Sequence, residues 1–344
     1  MIPDFYKDKL ASIDSWESYK GELTDLILDT EYGAFDGLGK PSIRTEKQDI
    51  NFASKADWTA IYFDFEADGK THSVRSELIL PKNVQNPPVF IYIDFSKETP
   101  SKYLPVEELL DGGFGVFKVF YQDVTTDDGD FENGLCSLVN GGGTEYGKIA
   151  VWSYMLRKMA DYITENKISD TFAVAGHSRL GKTALLTSAL DSRFVLACVN
   201  NSGCCGASPS REKTDKEETV GNIVGTFPFW FKKSFANFVD NEDALPFDQH
   251  MLLSLVAPRN VVIGCAIEDV WADNDGAYKS CALASAVWKL YGESGFIADE
   301  YKEEKCAYTS GNIGFYIRNG SHFFSREDWQ MYMKKFKEII NVKK

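Results

Sequence analysis

The sequence lacks a long apolar run and carries less positive than negative charge. Its 344 residues include 37 Lys and Arg against 51 Asp and Glu, which gives a formal charge of −14. That balance argues against nucleic acid or an anionic membrane as a partner. No apolar run approaches the roughly 20 residues of a membrane span, and residues 1–16 place charges where a secretory signal needs an apolar core. We therefore expect a globular cytoplasmic protein, although a leader trimmed from the chain would leave the same pattern.

Patterns that bind metals or form disulfides are also scarce. The seven cysteines are an odd number, spread over predicted strands and helices, which fits reduced, buried thiols better than a disulfide framework. Cys204 and Cys205 are neighbours, but they have no second pair at zinc-site spacing. The Asp-rich segment 125–143 resembles a calcium loop in composition only, because the terminal Glu at fixed spacing is absent, and it is predicted to be a surface loop. The sequence therefore predicts neither a metal nor a cofactor.

What the sequence does contain is a regular alternation of strands and helices. β-formers cluster in three segments up to residue 80 and predict antiparallel strands. From residue 88 onward, apolar runs of the buried type alternate with helical periods, which predicts a doubly wound, mostly parallel sheet. Because there is no repeat and no linker, we expect a single domain over residues 1–344, with an N-terminal helical segment, 1–36, packed on it. The later strands are predicted near 88–95, 115–120, 172–175, 195–200, 260–265 and 314–317.

The stretch from Thr171 to Leu190 is the one around which the rest of the chain is organised. An apolar run breaks at Gly176 and a helical period follows, so the stretch predicts a strand, a tight turn and a helix, with Ser178 at the tip of the turn. The letters GHSRLG are close to the nucleophile elbow of a serine hydrolase, in which a strained turn raises the serine oxygen above the sheet. Read as a glycine, four residues and then GKT, the same stretch matches a phosphate-binding P-loop. Local structure does not distinguish the two.

The order of residues farther along the chain favours the hydrolase. A P-loop normally follows the first core strand and needs a second strand that ends in a magnesium-binding Asp, whereas this motif follows at least two core strands. A hydrolase needs an acid after a later strand and a histidine after the last one. Asp269 and His322 occupy those places, and the chain has only four histidines. One feature departs from the usual elbow, since Leu180 stands where a glycine is common and Gly181 follows it.

The elbow and a series of segments around it resemble one known family. The seven residues from Gly176 to Lys182 are similar to the Gly-Cys-Ser-Arg-x-Gly-Lys elbow of the glucuronoyl esterases, carbohydrate esterase family 15. The resemblance implies an α/β-hydrolase fold and ester hydrolysis without a metal. It also implies that Arg179 helps to hold the oxyanion and that Lys182 contacts sugar hydroxyls. Further ordered matches within residues 88–338 are Asn201–Gly203, Trp230–Phe231, Asn237–Phe238, Leu245–His250, Ala257–Arg259, Trp271 and Ser321–His322.

The chain departs from that family at functionally important positions. The elbow cysteine is His177, and the residue after the family's catalytic histidine, a cysteine in fungal members, is Phe323. Both halves of the fungal disulfide are therefore absent, which fits a reducing compartment. The Glu that serves as the acid in many members corresponds to Asn201, which cannot carry the charge. Other bacterial members take the acid from the loop after the next core strand, which here holds Asp269, the predicted acid, and its rival Asp273.

Together these residues predict a serine carboxylesterase that acts on a carbohydrate ester, most specifically an ester of glucuronic acid. Ser178 is predicted to attack the ester carbonyl, His322 to take its proton, and Asp269 to orient the imidazole. The backbone N–H of Arg179, together with its guanidinium, is predicted to stabilise the oxyanion. Lys182 lies one helical turn beyond Ser178 and can face the same pocket.

Two tryptophans are candidates for a sugar-stacking wall, Trp271 and Trp230, and the alternative for each is a place in the core. Three other functions remain open at this point. A carbohydrate acetyl esterase would have the same triad and a small acyl pocket. An inactive carbohydrate-binding relative would keep the walls and lose the triad, and a P-loop protein would bind a nucleotide through Lys182.

Overall fold

The computed structural model describes residues 6, 8–49, 52–82 and 84–342. Residues 1–5 and 7 of the predicted N-terminal helical segment lie outside these ranges. The first of the three predicted N-terminal strand segments covers residues 49–53, of which 50 and 51 also lie outside, and residues 52 and 53 form a turn instead of a strand. Within the described part of the segment, helix α1, Ile13–Ile27, begins after the N-cap Ser12 and buries Trp16 and Leu23. A π-helical turn, Leu28–Tyr32, continues it.

Ten strands of the described chain form one sheet. Their ranges are β1 Ser42–Lys47, β2 Ala56–Ala67, β3 Lys70–Pro81, β4 Val89–Asp94, β5 Gly115–Phe120, β6 Phe172–His177, β7 Phe194–Asn200, β8 Asn260–Ala266, β9 Cys306–Tyr308 and β10 Ile313–Arg318. Their order across the sheet is β1-β2-β3-β5-β4-β6-β7-β8-β10-β9. The pairs from β5 to β10 are parallel, and β1, β2, β3 and β9 pair antiparallel to their neighbours. The predicted mostly parallel sheet with antiparallel N-terminal strands is confirmed.

Helices cover both faces of the sheet. Besides α1 they are α2 Val106–Asp111, α3 Tyr121–Val124, α4 Lys148–Glu165, α5 Arg179–Leu190, α6 Val220–Thr226, α7 Gln249–Ser254, α8 Asn274–Leu290 and α9 Arg326–Val342. Trp152 of α4 and Trp288 of α8 belong to the core on one face, whereas Leu109 of α2 and Trp329 of α9 belong to the core on the other. This double coverage explains why β4 and β6 are buried along their whole length. Within the described ranges, no helix combines the length and apolarity needed to cross a membrane.

The topology determines where the predicted site residues meet. Strands β4, β6, β7, β8 and β10 are parallel, so their carboxyl ends lie along one edge of the sheet. Ser178 follows β6, Asp269 follows β8 and His322 follows β10. In open α/β sheets this edge is where ligands bind, and the three residues are neighbours there although they are far apart in sequence.

Candidate active site

Ser178 lies in a strained turn between β6 and α5. Its φ of 58° and ψ of −127° fall in a region that residues with a side chain rarely adopt. A Cβ at Gly176 would come within 2.0 Å of the Leu180 carbonyl oxygen, and one at Gly181 would come within 2.8 Å of the Asn200 carbonyl oxygen. Leu180 itself is fully buried in the core. The turn therefore requires glycine at 176 and 181, which accounts for the departure from the usual elbow.

His322 and Asp269 form a hydrogen-bonded pair at the neighbouring strand ends. His322 Nδ1 lies 2.6 Å from Asp269 Oδ2, and the side-chain amide of Asn201 donates to the same oxygen at 2.5 Å. Burial acts to raise the pKa of Asp269, but the hydrogen bonds from His322 and Asn201 outweigh it and hold that pKa below its usual value. Asp269 therefore stays ionised beside the imidazole, and Ser178 and His322 line one cavity.

Asp273, the rival acid, points to a different partner. It is the N-cap of α8 in the left-handed region, with φ of 54°, and its Oδ1 accepts a hydrogen bond from the Gly276 N–H at 2.8 Å. Its other oxygen pairs with the Lys213 ammonium. The two candidate acids thus differ in their contacts, since Asp269 is hydrogen-bonded to His322 and Asp273 caps the N-terminus of α8.

His177 packs directly against His322. The two rings lie 4.6 Å apart between centroids, and Phe324 stacks against His177 at 5.9 Å and 16°. His177 Nδ1 lies 2.7 Å from the side-chain oxygen of Asn200, so this nitrogen donates. Burial, reinforced by the neighbouring His322, lowers the pKa of His177 to about 3. His177 is therefore a neutral imidazole at any pH near neutrality.

Arg179 sits among aromatic rings with one carboxylate. Its guanidinium pairs with Asp127 and lies 4.6 Å from the ring centroid of Trp230. Trp230 is only 3% exposed and stacks on Phe227 at 3.9 Å and 4°. The prediction of Trp230 as a sugar-stacking wall is therefore corrected, because its ring is covered by Phe227 and Arg179. The core alternative describes Trp230 better.

Lys182 is buried, although the resemblance led us to expect it at the sugar. Its ammonium donates to the carbonyl oxygens of Ser202 and Cys204, the latter at 2.6 Å, and lies 3.8 Å from a carboxylate oxygen of Glu218. Lys182 thus ties down the loop that follows β7. Glu218 was missed by sequence reasoning, because it lies in a polar insertion without a distinguishing motif.

Trp271, the other tryptophan predicted at the sugar, is exposed. It lies in the short turn Val270–Ala272 and is 47% exposed. Its carbonyl oxygen accepts a hydrogen bond from the Glu218 N–H at 3.0 Å, so the two residues are adjacent. Through Glu218, which contacts both Trp271 and Lys182, the three residues lie next to one another.

The Asp-rich segment after α3 is folded around a buried cation. The side chain of Lys148 has no exposed surface, and its ammonium donates to the carbonyl oxygens of Thr126 and Asp130, each at 2.6 Å. A carboxylate oxygen of Asp128 lies 3.3 Å away. The prediction of a plain surface loop is wrong here, because Lys148 turns the segment inward and Asp127 reaches Arg179.

A cavity of about 780 Å³ opens beside the elbow. The loop that follows β4 forms much of its wall and was not identified from the sequence. The lining residues are Phe95, Ser96, Lys97, Glu98, Lys102, Tyr103, Phe120, His177, Ser178, Arg179 and His322.

The P-loop alternative does not fit this geometry. In a P-loop the lysine reaches the phosphates, but the Lys182 ammonium is bound to two backbone carbonyl oxygens. The described residues also contain no group of three or more His, Cys, Asp or Glu side chains arranged to hold a metal ion.

The mostly parallel sheet, the strained serine turn after β6 and the acid–imidazole pair after β8 and β10 define an α/β-hydrolase. A family model described as glucuronyl esterase of fungi matches residues 64–292. The chain belongs to the glucuronoyl esterase family, so the family predicted from the elbow is confirmed.

Similar proteins are known both as sequences and as structures. The carbohydrate esterase MZ0003, from an unknown prokaryotic organism, is 37% identical over 67% of this chain and 54% of its own length. A 4-O-methyl-glucuronoyl methylesterase of Schizophyllum commune is 24% identical over 82% of this chain and 70% of its own. A promiscuous CE15 esterase from a marine bacterial metagenome superposes with a TM-score of 0.87 at 28% identity, covering 98% of this chain and 96% of that one. The glucuronoyl esterase of Solibacter usitatus gives 0.87 at 26% identity, covering 98% and 97%.

Proposed function

We propose that the chain is a serine carboxylesterase that hydrolyses esters of glucuronic acid, with Ser178, His322 and Asp269 as its triad. The observation that carries the proposal is the hydrogen-bonded Asp269–His322 pair at the edge where Ser178 occupies a strained turn on a shared cavity. The sugar class is supported by relatives named glucuronoyl esterase and 4-O-methyl-glucuronoyl methylesterase.

In the proposed reaction the Ser178 hydroxyl attacks the ester carbonyl and passes its proton to His322. Because Nδ1 of His322 is bound to Asp269, Nε2 is the nitrogen left for the serine. The Asp269 carboxylate stabilises the imidazolium, which then protonates the leaving alcohol. Water repeats the two steps on the acyl-enzyme and releases the uronic acid.

The negative charge that develops on the carbonyl oxygen needs fixed donors. Arg179 is the first residue of α5 and lines the cavity beside Ser178. Its backbone N–H, at a helix N-terminus, and its guanidinium are the donors that we assign to the oxyanion.

We assign the uronic acid ring to the side of Ser178 where Trp271 and Glu218 lie. The exposed indole of Trp271 offers a face on which a sugar ring can pack. Glu218 keeps 15% of its side chain exposed and can accept hydrogen bonds from ring hydroxyls. Lys182 holds this carboxylate and the loop beside it, and its predicted direct contact with the sugar stays a prediction.

The alcohol half of the ester then occupies the cavity on the other side of the serine. Phe95, Tyr103 and Phe120 line it, and its 780 Å³ lies within the roughly 300–1,000 Å³ of small-molecule sites. A bulky alcohol is therefore accommodated.

We also propose that residues 1–344 form a single domain. We further propose that the protein works in a reducing compartment such as the cytoplasm, where its substrates are small carbohydrate esters. All seven cysteines are free thiols, and the positions of the fungal disulfide hold His177 and Phe323.

The test compares kcat/KM for benzyl glucuronate with that for acetylated xylo-oligosaccharides. We expect a clear preference for the glucuronate ester, and covalent labelling by a fluorophosphonate probe that Ser178→Ala abolishes. A preference for the acetyl esters would make the protein a carbohydrate acetyl esterase, and absence of labelling and turnover would make it an inactive carbohydrate-binding relative.

A substitution on the sugar side separates substrate recognition from chemistry. Glu218→Gln should impair hydrolysis of benzyl glucuronate and leave an aryl acetate largely unaffected. The matched control is Glu217→Gln, because the Glu217 carboxylate accepts a hydrogen bond from the Thr214 N–H, away from the sugar side, and its change should affect neither substrate. Equal losses on both esters after Glu218→Gln would contradict the sugar-side assignment.

A further inference from the structure

Asp127 collects hydrogen bonds from three separate parts of the fold. Its carboxylate accepts from the Arg179 guanidinium at the elbow, from Trp230 Nε1 in the insertion after β7 at 2.7 Å, and from the Tyr121 hydroxyl at 3.3 Å. The Asp127 side chain is only 7% exposed. A buried carboxylate that three donors share is held firmly, because each donor limits its rotation.

The guanidinium of Arg179 is in turn enclosed on several sides. Its central carbon lies 4.6 Å from the ring centroid of Trp230, 5.2 Å from that of Phe227 and 5.5 Å from that of Phe95. Its side chain nevertheless remains 24% exposed and lines the cavity beside Ser178. Since a guanidinium has five N–H donors, pairing with Asp127 leaves donors available on the cavity side.

The loop that carries Asp127 is itself shaped by Lys148, which binds the carbonyl oxygens on both sides of it, at Thr126 and Asp130. The Asp127 side chain therefore points inward because the contacts of Lys148 set the path of the backbone on both sides of it. The buried Lys148 ammonium thus shapes the loop, and the Asp127 carboxylate that the loop carries holds the Arg179 guanidinium.

We propose that Asp127 is the positioning residue for Arg179: it holds the guanidinium in the orientation that meets the oxyanion, with Trp230 fixing the carboxylate from behind. The inference rests on the proposed function, because it needs Arg179 to act on the oxyanion. Donors stabilise an oxyanion only when they are already aimed at the site where its charge develops. Asp127 does not touch the substrate and acts only through Arg179.

The first test is Asp127→Asn, which keeps the shape and removes the charge that orients the guanidinium. We expect kcat to fall by about 10- to 100-fold with little change in KM. The fall should be similar for benzyl glucuronate and for p-nitrophenyl acetate, because both reactions form the same oxyanion. The matched control is Asp130→Asn, because the exposed Asp130 carboxylate accepts from the Glu132 N–H and makes no contact with Arg179, so its change should leave kcat as in the wild type.

A double-mutant cycle with Arg179→Ala then separates positioning from folding. If Asp127 acts through Arg179, Asp127→Asn causes no further loss of kcat in the Arg179→Ala background. Trp230→Phe keeps the aromatic contact with Phe227 and loses the N–H donor, and it should lower kcat less than Asp127→Asn does, with some loss of melting temperature because Trp230 is buried. It serves as the second variant if Asp127→Asn does not fold.

Additive losses in the cycle, or wild-type kcat in both Asp127→Asn and Trp230→Phe, would overturn the inference. A loss of glucuronate turnover alone, with full activity on p-nitrophenyl acetate, would overturn it too, because the effect would then lie in sugar binding. Failure of the proposed function has a different signature, since the wild-type enzyme would itself show no preference for glucuronate esters.

Discussion

The imidazole rings of His177 and His322 lie 4.6 Å apart, tilted by 41°. One ring is almost wholly buried and hydrogen-bonded to Asn200, and the other is paired with Asp269 and keeps 45% of its side chain exposed. Two cationic imidazoles at this separation would repel each other. His322 can therefore carry a positive charge beside His177 only while the His177 ring is neutral, and burial keeps that ring neutral.

The first prediction follows from that pair. Because burial and the neighbouring His322 lower the pKa of His177 to about 3, its ring should not titrate between pH 5 and 8. With four histidines in the chain, an NMR pH titration of labelled imidazoles resolves each ring, and His177→Gln assigns the signal. A His177 midpoint above about pH 5 would contradict the neutral-ring interpretation.

The second prediction concerns the two aspartates after β8. Asp269→Asn should lower kcat by about ten-thousandfold, because the imidazole loses the acceptor that sets its tautomer. Asp273→Asn should leave kcat near the wild-type value but lower the free energy of unfolding by about 3 kcal/mol, because Lys213 is left without its buried partner. Kinetics and denaturant unfolding of both variants check this, and the reverse pattern would make Asp273 the acid.

The third prediction reintroduces the carboxylate that many family members carry. Asn201 donates to Asp269 at 2.5 Å, so Asn201→Glu places a second negative charge at hydrogen-bond distance and raises the pKa of Asp269. The acid limb of the kcat/KM profile reports protonation of the coupled Asp269–His322 pair and should move to higher pH by about one to two units. Asn201→Ala removes the donor without adding charge and should move the limb less. An unmoved limb in Asn201→Glu would show that a charge at position 201 does not affect the Asp269–His322 pair.

The fourth prediction concerns stability and lies away from the site. Glu31 has no exposed surface, and burial raises its pKa to about 7 although Gln249 donates to it at 2.8 Å. The folded state therefore holds a proton that the unfolded chain releases near pH 4.5. The stability associated with that proton is complete below pH 4.5 and is lost as pH rises through 7, by about 3 kcal/mol in all.

Melting curves from pH 5 to 8 measure this effect as a difference between variants. Relative to the wild type, Glu31→Gln should become progressively more stable as pH rises. Asp29→Asn, an exposed carboxylate in the same π-helical turn, provides the control and should show a constant difference. A constant difference for Glu31→Gln as well would mean that Glu31 is ionised in the folded protein throughout this range.

The sequence was sufficient to predict the parallel strands of the sheet and the strand ends that Ser178, Asp269 and His322 follow. Strand and helix periods are local properties, and the order nucleophile, acid, histidine along parallel strands places those residues at one edge whatever the loops do. The sequence could not decide between Asp269 and Asp273 as the acid. Only the short turn at 270–272 and the left-handed backbone of Asp273 direct the two carboxylates to different partners.

Residues whose roles depend on loop paths could not be predicted. The sequence shows Asp127 as one aspartate among several, and only the buried Lys148 explains why it points inward. Trp230 was expected at the sugar and is buried instead, because its ring stacks on Phe227. The contacts of Lys182 with the loop after β7 also depend on the path of that loop, which no motif in the sequence indicates.

The ammonium of Lys148 gives the Asp-rich loop a counterion that is covalently part of α4. A bound ion dissociates according to its concentration in solution, whereas the Lys148 ammonium can separate from the loop only if α4 moves away from it. The loop should therefore keep its order in the presence of chelators and through changes in ionic composition. Folding of the loop is also linked to the packing of α4 on the sheet. The loop, and with it the Asp127–Arg179 pair at the elbow, should therefore become ordered in the same cooperative step.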